Sequence, residues 1–280
     1  MSDHSFGFSR ESFREFTVPF LMALSLLTRF PVTRWLPETW ADTLLGRSAL
    51  WYPMVGLLLA GLLSFLVVLF SSSVSPFVVA VIVVIVWVAL TGALHLDGLA
   101  DCVDALYAGH AVVDEPSNTE FTSFKQQKIF CVLKDPSVGA MGAIALVLLL
   151  LLKVSIVASL GVQLTVGLLL AIVLSRACAL LFISVTPYTP HASVNGVGLT
   201  LATHVPKSAA FGVIVLTSLA VLLILPFFIA LILLVCQLAL CIVWRSFWIK
   251  RLEGFVGDAV GALIELSEVS VLFVFYLLVV

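Results

Sequence analysis

Charge is what this sequence has least of. Asp, Glu, Lys and Arg supply 11% of its 280 residues, where a soluble domain carries roughly a quarter. Hydrophobic residues supply 62%, an excess that points to lipid as the surrounding solvent. No polar linker or low-complexity tract divides the chain, so it reads as a polar N-terminal extension over 1–16 and a single membrane-embedded domain over 17–280. A surplus of positive charge is missing too: a net charge of −2 gives no footprint for nucleic acid. The sequence has no CxxC pair. Cys102, Cys131, Cys178, Cys236 and Cys241 are scattered, three of them within apolar runs, which fits small buried hydrophobes better than metal ligands or disulfides. No small-x-small cleavage pattern follows the apolar stretch Val18 to Leu27. That stretch reads as a short amphipathic or re-entrant helix rather than a cleaved signal.

Long apolar runs are present in number. A hydrocarbon core of about 30 Å needs roughly 20 apolar residues as a helix. Seven stretches qualify, near 51–70, 76–94, 138–160, 162–186, 208–225, 227–244 and 260–280. The fifth and sixth form one run that Pro226 divides, because a proline breaks or turns a helix. The fold class is therefore all-α, a polytopic membrane protein of about seven transmembrane helices. Arg10, Arg14, Arg29, Arg34 and Arg47 precede the first span, and Lys125, Lys128, Lys134, Lys207, Arg245, Lys250 and Arg251 fall in alternate connections. The intervening connections, Ser71 to Ser75 and the join near Gly161, hold no Lys or Arg. The positive-inside rule then puts the N-terminus and every basic loop in the cytoplasm. Lys153 and Arg176 remain inside spans. Lys153 is placed to snorkel outward. Arg176 is expected to face the bundle interior or a wet cavity.

The acidic residues carry the chemistry. In His95-Leu96-Asp97-Gly98-Leu99-Ala100-Asp101-Cys102-Val103-Asp104, the three aspartates are spaced i, i+4, i+7, on one helical face over two turns. Such a stack of like charges calls for a cation, and oxygen-only ligands suit magnesium shared with substrate phosphates. The small Gly98 and Ala100 permit close approach. His95 points elsewhere on the helix and is a candidate substrate contact. A second patch, Lys134-Asp135-Pro136-Ser137-Val138-Gly139-Ala140-Met141-Gly142, sits at the start of the third span. There Asp135 and Pro136 suit a helix start, and the glycines with Lys134 suit an anion site. Asp135 is alternatively a fourth metal ligand. Asp258, Glu265 and Glu268 share a face of the last helix. Two of them lie inside the span, where lone carboxylates are costly and Arg176 is a candidate partner. The loop with His191, Asn195-Gly196-Val197-Gly198 and His204 is a weak signal.

Taken in order, these strings resemble the cobalamin synthases, the adenosylcobinamide-GDP ribazoletransferases. His95 to Asp101 with Asp104 is similar to the family's HxDGLADxxDG signature, with Ala105 where glycine is common. Thr28-Arg29-Phe30-Pro31-Val32 resembles its TRxPV, and Tyr52-Pro53-Met54-Val55-Gly56 the start of its first span. Lys134 to Gly139 resembles its KDSxxGxxG, with Pro136 replacing a usual serine; Ser175-Arg176-Ala177 and Gly257-Asp258 through Glu268 fit as well. The resemblance covers roughly residues 20–280. It implies joining of adenosylcobinamide-GDP to α-ribazole or its 5′-phosphate with release of GMP. It also implies magnesium dependence and a place in the bacterial inner membrane, with membrane lipid around the chain and a homo-oligomer permitted. The expected catalytic and metal residues are Asp97, Asp101, Asp104 and Asp135, with Asp104 as the proton acceptor. Expected substrate contacts are His95, Lys134, Ser137, Gly139, Arg176, Asp258, Glu265 and Glu268. Two other classes compete. One is a secondary transporter using Arg176, Glu265 and Glu268, against which no internal repeat is found. The other is a CDP-alcohol phosphotransferase, whose later G-xxx-D-xxx-D arrangement is absent.

Overall fold

The computed structural model describes residues 10–110, 119–135, 137–190 and 196–280. Pro136, His191 and Asn195 from the sequence reading lie outside the described residues. Among the described residues every regular element is a helix.

An N-terminal helix α1 (Arg10–Leu27) is followed by a short α2 (Asp42–Ser48), and α2 leads into the first span, α3 (Tyr52–Phe70). Helix α1 begins well before the apolar stretch that announces it. Its polar first half is held by Glu15, which accepts from Arg47 at 3.4 Å, and by Phe16 set edge-on to Trp51. Val18, Met22, Ala23 and Leu27 bury one face against the bundle, the amphipathic pattern expected of a helix at a membrane surface.

The remaining elements are α4 (Pro76–Thr91), α5 (Leu94–His110), α6 (Thr119–Val132), α7 (Ala140–Ser159), α8 (Leu164–Val185), α9 (Val197–His204), α10 (Lys207–Ile224), α11 (Phe227–Leu252) and α12 (Gly257–Val279). Six helical segments are long and apolar enough to cross a membrane: the run α2–α3, α7, α8, α10, α11 and α12. Among the described residues, α4 reaches that length and hydropathy only together with α5, as a bent pair that would make a seventh. Prolines open α3 and α4 within their first turn, where the missing N–H costs nothing. Pro226 separates α10 from α11, as its position in the long apolar run predicts. Helix α8 is the axis of the bundle. It packs on α3, α10, α11 and α12 and buries Arg176 among its apolar neighbours. Helices α10 and α11 lie outside, with Leu223 and Phe228 turned to lipid.

The acidic segment follows the second span directly in sequence, but helix α5 leaves α4 at 87°. The corner is Gly92-Ala93, both left-handed with φ 64° and 58°, a conformation that glycine adopts at little cost. Helix α5 then packs on α6, α7 and α12.

Candidate active site

The corner is fixed from the N-terminal side. The N–H of Arg29 donates to the carbonyl of Leu90 at 2.8 Å, and the Arg29 side chain lies where a β-carbon on Gly92 would sit. The string Thr28 to Val32 therefore acts as a clamp on the α4–α5 turn. With the turn set, Leu96, Leu99, Ala100, Cys102 and Ala105 face the core. On the other side Asp97 is exposed, and Asp101 and Asp104 are half-buried.

Helix α12 meets this helix through glycines. A β-carbon on Gly98 would stand 2.8 Å from the carbonyl oxygen of Asp258, and one on Gly261 would stand 3.3 Å from the Cα of His95. The backbones are this close only because side chains are missing, and the approach brings Asp258 to Asp97 and Asp101. Burial, then Asp97, Asp258 and Asp104 in turn, push the Asp101 carboxyl up to about 6. Tyr188, in the turn after α8, has its hydroxyl raised by burial and by Asp258. Asp258 shared a face with Glu265 and Glu268 in the sequence; in space it joins the α5 aspartates.

Asp104 has a different environment. Its two carboxylate oxygens accept the N–H of Gly139 at 2.7 Å and of Gly142 at 2.8 Å. These are unsatisfied donors at the start of α7, and the partial positive charge there favours an anion. A side chain on either glycine would occupy the carboxylate's place. The glycines of the second patch do make an anion site, and the anion is Asp104 itself. This corrects the expectation that Asp135 and Pro136 begin the helix. Helix α7 begins at Ala140 with Gly139 at its cap. Asp135 instead accepts from the N–H and hydroxyl of Ser137 at 2.9 and 2.6 Å, bonds that hold its carboxyl below the ordinary range. Lys134 is exposed and stacks its ammonium over Phe130 at 4.5 Å.

The charges inside the spans form one buried set, in which Nε and Nη2 of Arg176 have no hydrogen-bond partner among the described residues. Lys153 donates to Glu265 at 2.7 Å and to Glu268 at 2.6 Å, while Arg176 donates to Glu268 and to the hydroxyl of Ser175. All four charged side chains are buried. The outward course expected of Lys153 is overturned. Two carboxylates on α12 draw its ammonium inward, and it also lies 4.3 Å from the ring of Trp87. Arg176 meets Glu268, in line with its candidacy as a partner of the glutamates, and both glutamates are buried. His95 is within electrostatic reach of Arg176, Glu268 and Lys153, and its Nδ1 has no hydrogen-bond partner among the described residues. The pairing of Lys153 was missed from sequence. Its signal was there: an ammonium in a run of leucines needs a carboxylate, and Glu265 and Glu268 were available.

Asp97, Asp101 and Asp258 lie within electrostatic reach of one another. Among the described residues no three His, Cys, Asp or Glu side chains converge as a finished metal cage. The all-oxygen, mutually repelling set still suits magnesium, which usually takes one or two carboxylates and fills its sphere with phosphate and water.

Comparison with known proteins agrees with these motifs. The cobalamin-5-phosphate synthase family profile matches residues 19–276. The adenosylcobinamide-GDP ribazoletransferase of Pseudomonas savastanoi pv. phaseolicola is 37% identical over 265 residues, covering 93% of this chain and 100% of that protein. The one from Stutzerimonas stutzeri is 38% identical over 256 residues, covering 91% and 96%. The one from Acinetobacter baumannii is 34% identical over 260 residues, covering 92% and 96%. No solved structure matches the chain.

Proposed function

The chain belongs to the cobalamin-5-phosphate synthase family, and from that premise we propose how its residues divide the reaction. It transfers the adenosylcobinamide-phosphate group of adenosylcobinamide-GDP to α-ribazole or its 5′-phosphate and releases GMP, a late step in building the nucleotide loop of cobalamin. The ribazole hydroxyl oxygen bonds to the phosphorus that stays with cobinamide. The bond from that phosphorus to the bridging oxygen breaks, and GMP leaves with the electron pair.

The observation that carries the division of labour is the different engagement of the aspartates. Asp97 and Asp101 present carboxylates on the open face of α5 and are the residues to hold magnesium. Bound there, magnesium would neutralise the diphosphate and the charge gathering on GMP. Asp104 is held by two backbone N–H groups and builds the site by tying α7 to α5. The proton of the ribazole hydroxyl goes to Asp258, half-buried beside Asp97. Lys134, on the loop before α7, is free to swing its ammonium to the diphosphate. Against the carrier alternative, Glu265 and Glu268 are buried in ion pairs with Lys153, and Glu268 pairs with Arg176 as well. Localisation follows the charge: with Arg29, Arg34, Arg47, Lys134 and Lys207 on the side of α5, the site faces the cytoplasm from a bacterial inner membrane.

The test is GMP release by membranes given adenosylcobinamide-GDP and α-ribazole, with and without magnesium. Release is expected to need magnesium and to fall by roughly 100-fold or more in Asp97→Asn and Asp101→Asn. Full activity in both variants would remove the cation site.

A further inference from the structure

Beside the acidic face lies a cavity of about 220 Å³ that the chemistry above leaves without a tenant. Leu27 at the end of α1, Ile183 at the end of α8, Leu201 on α9 and Phe255 before α12 form much of its wall. Its polar side chains are few: His95, Tyr52 and Asp258. His95 is nine-tenths buried or more, and its Nδ1 lacks a partner among the described residues. Asp258 belongs to both the cavity and the acidic cluster, so a molecule in the cavity reaches the reacting groups across Asp258.

Size and polarity select the tenant. An apolar cavity of about 150 Å³ takes one benzene ring, so this volume admits about two fused rings and excludes a corrin macrocycle. A guanine or adenine ring would bring several amide or amino edges, and each one buried unpaired costs about 1–3 kcal/mol. A benzimidazole has carbon on nearly all of its edge and, once joined to ribose, a single ring nitrogen to satisfy. A wall with few polar side chains is enough for it.

We propose that this cavity receives the benzimidazole base of α-ribazole, with its ribose lying at Asp258. The inference rests on the transferase function given above and adds the place where the acceptor binds. The nucleoside's apolar end is sunk in the bundle while its hydroxyl emerges on the acidic face. The adenosylcobinamide-GDP approaches that face from water.

The experiment separates the two substrates kinetically. Val197, half-exposed on α9, lines the cavity, so Val197→Trp fills it from the rim without cutting into the core. Its KM for α-ribazole is expected to rise roughly tenfold or more, the scale at which pocket shape discriminates. The KM for adenosylcobinamide-GDP should not change. Wild-type enzyme gives an independent arm that needs no variant: free dimethylbenzimidazole should compete with α-ribazole and not with adenosylcobinamide-GDP. Leu201→Ala should favour nucleosides with a bulkier base. A wild-type enzyme that releases no GMP from the two substrates would defeat the assigned reaction. An active wild type in which dimethylbenzimidazole competes with adenosylcobinamide-GDP, or with neither substrate, would defeat the binding site alone.

Discussion

Asp101 and Asp104 differ by one turn of helix and by what surrounds them. Asp104 completes the start of α7 from another element, so Asp104→Ala strands two backbone donors. Loss of a cap of this kind costs about 1–2 kcal/mol, and thermal unfolding in detergent should show it before any kinetic effect is considered. Asp101→Asn should not destabilise, since it relieves repulsion from Asp97, Asp258 and Asp104. A pH dependence follows from the same carboxyl. It titrates near 6 in the folded chain against an ordinary 3.8, so the folded chain keeps a proton that the unfolded chain has given up. Raising the pH from about 4 to about 6 therefore withdraws stability, and magnesium should return it at the upper end of that window. Melting temperatures across this range, with and without magnesium, should show the decline, and Asp101→Asn should flatten it. The i, i+4, i+7 spacing made the shared face legible in the sequence. It could not reveal that backbone donors from 35 residues downstream would claim the third carboxylate.

At the level of helices, the buried set Lys153, Arg176, Glu265 and Glu268 ties α7 and α8 to α12. Removing one member of a buried ion set leaves charge without compensation, at about 3–5 kcal/mol. Lys153→Met is expected to lose that much, and adding Glu265→Gln to it should recover part of the loss, as measured by unfolding in the same detergent. Hydropathy located the spans closely because each helix must match one bilayer. The stretch 76–94 became Pro76–Thr91, and Pro226 marked the break between α10 and α11. The 87° corner after α4 was not legible, because a left-handed pair at Gly92-Ala93 depends on the clamp by Arg29. Partner choice was equally hidden, since periodicity says which way Lys153 can point and nothing about which helix will be there.

For the molecule as a whole, polarity is arranged along one axis. The α5 aspartates, Asp258 and the longer connections gather at one end, while the turns at Ser71–Ser75 and Gly161–Gln163 close the other. A membrane-impermeant thiol reagent should therefore label the exposed Cys131 only in inside-out vesicles. Val162→Cys, at a position 95% exposed, should be labelled only from outside when Cys131 is replaced by serine. Labelling of both from the same side would invert or break the topology. The orientation expected from the basic residues depends on charge count and not on packing, so this labelling is its test.

The close approach of Gly98 to Asp258 has a mechanical meaning. One partner carries the aspartates and the other is long and apolar enough to cross the bilayer, so their contact is a pivot. A bilayer too thin or too thick for α12 makes it tilt, and tilting about that pivot alters the gap between the carboxylates on either side. Turnover in lipids of graded acyl length should accordingly peak at one thickness, making catalysis a gauge of the membrane that houses it.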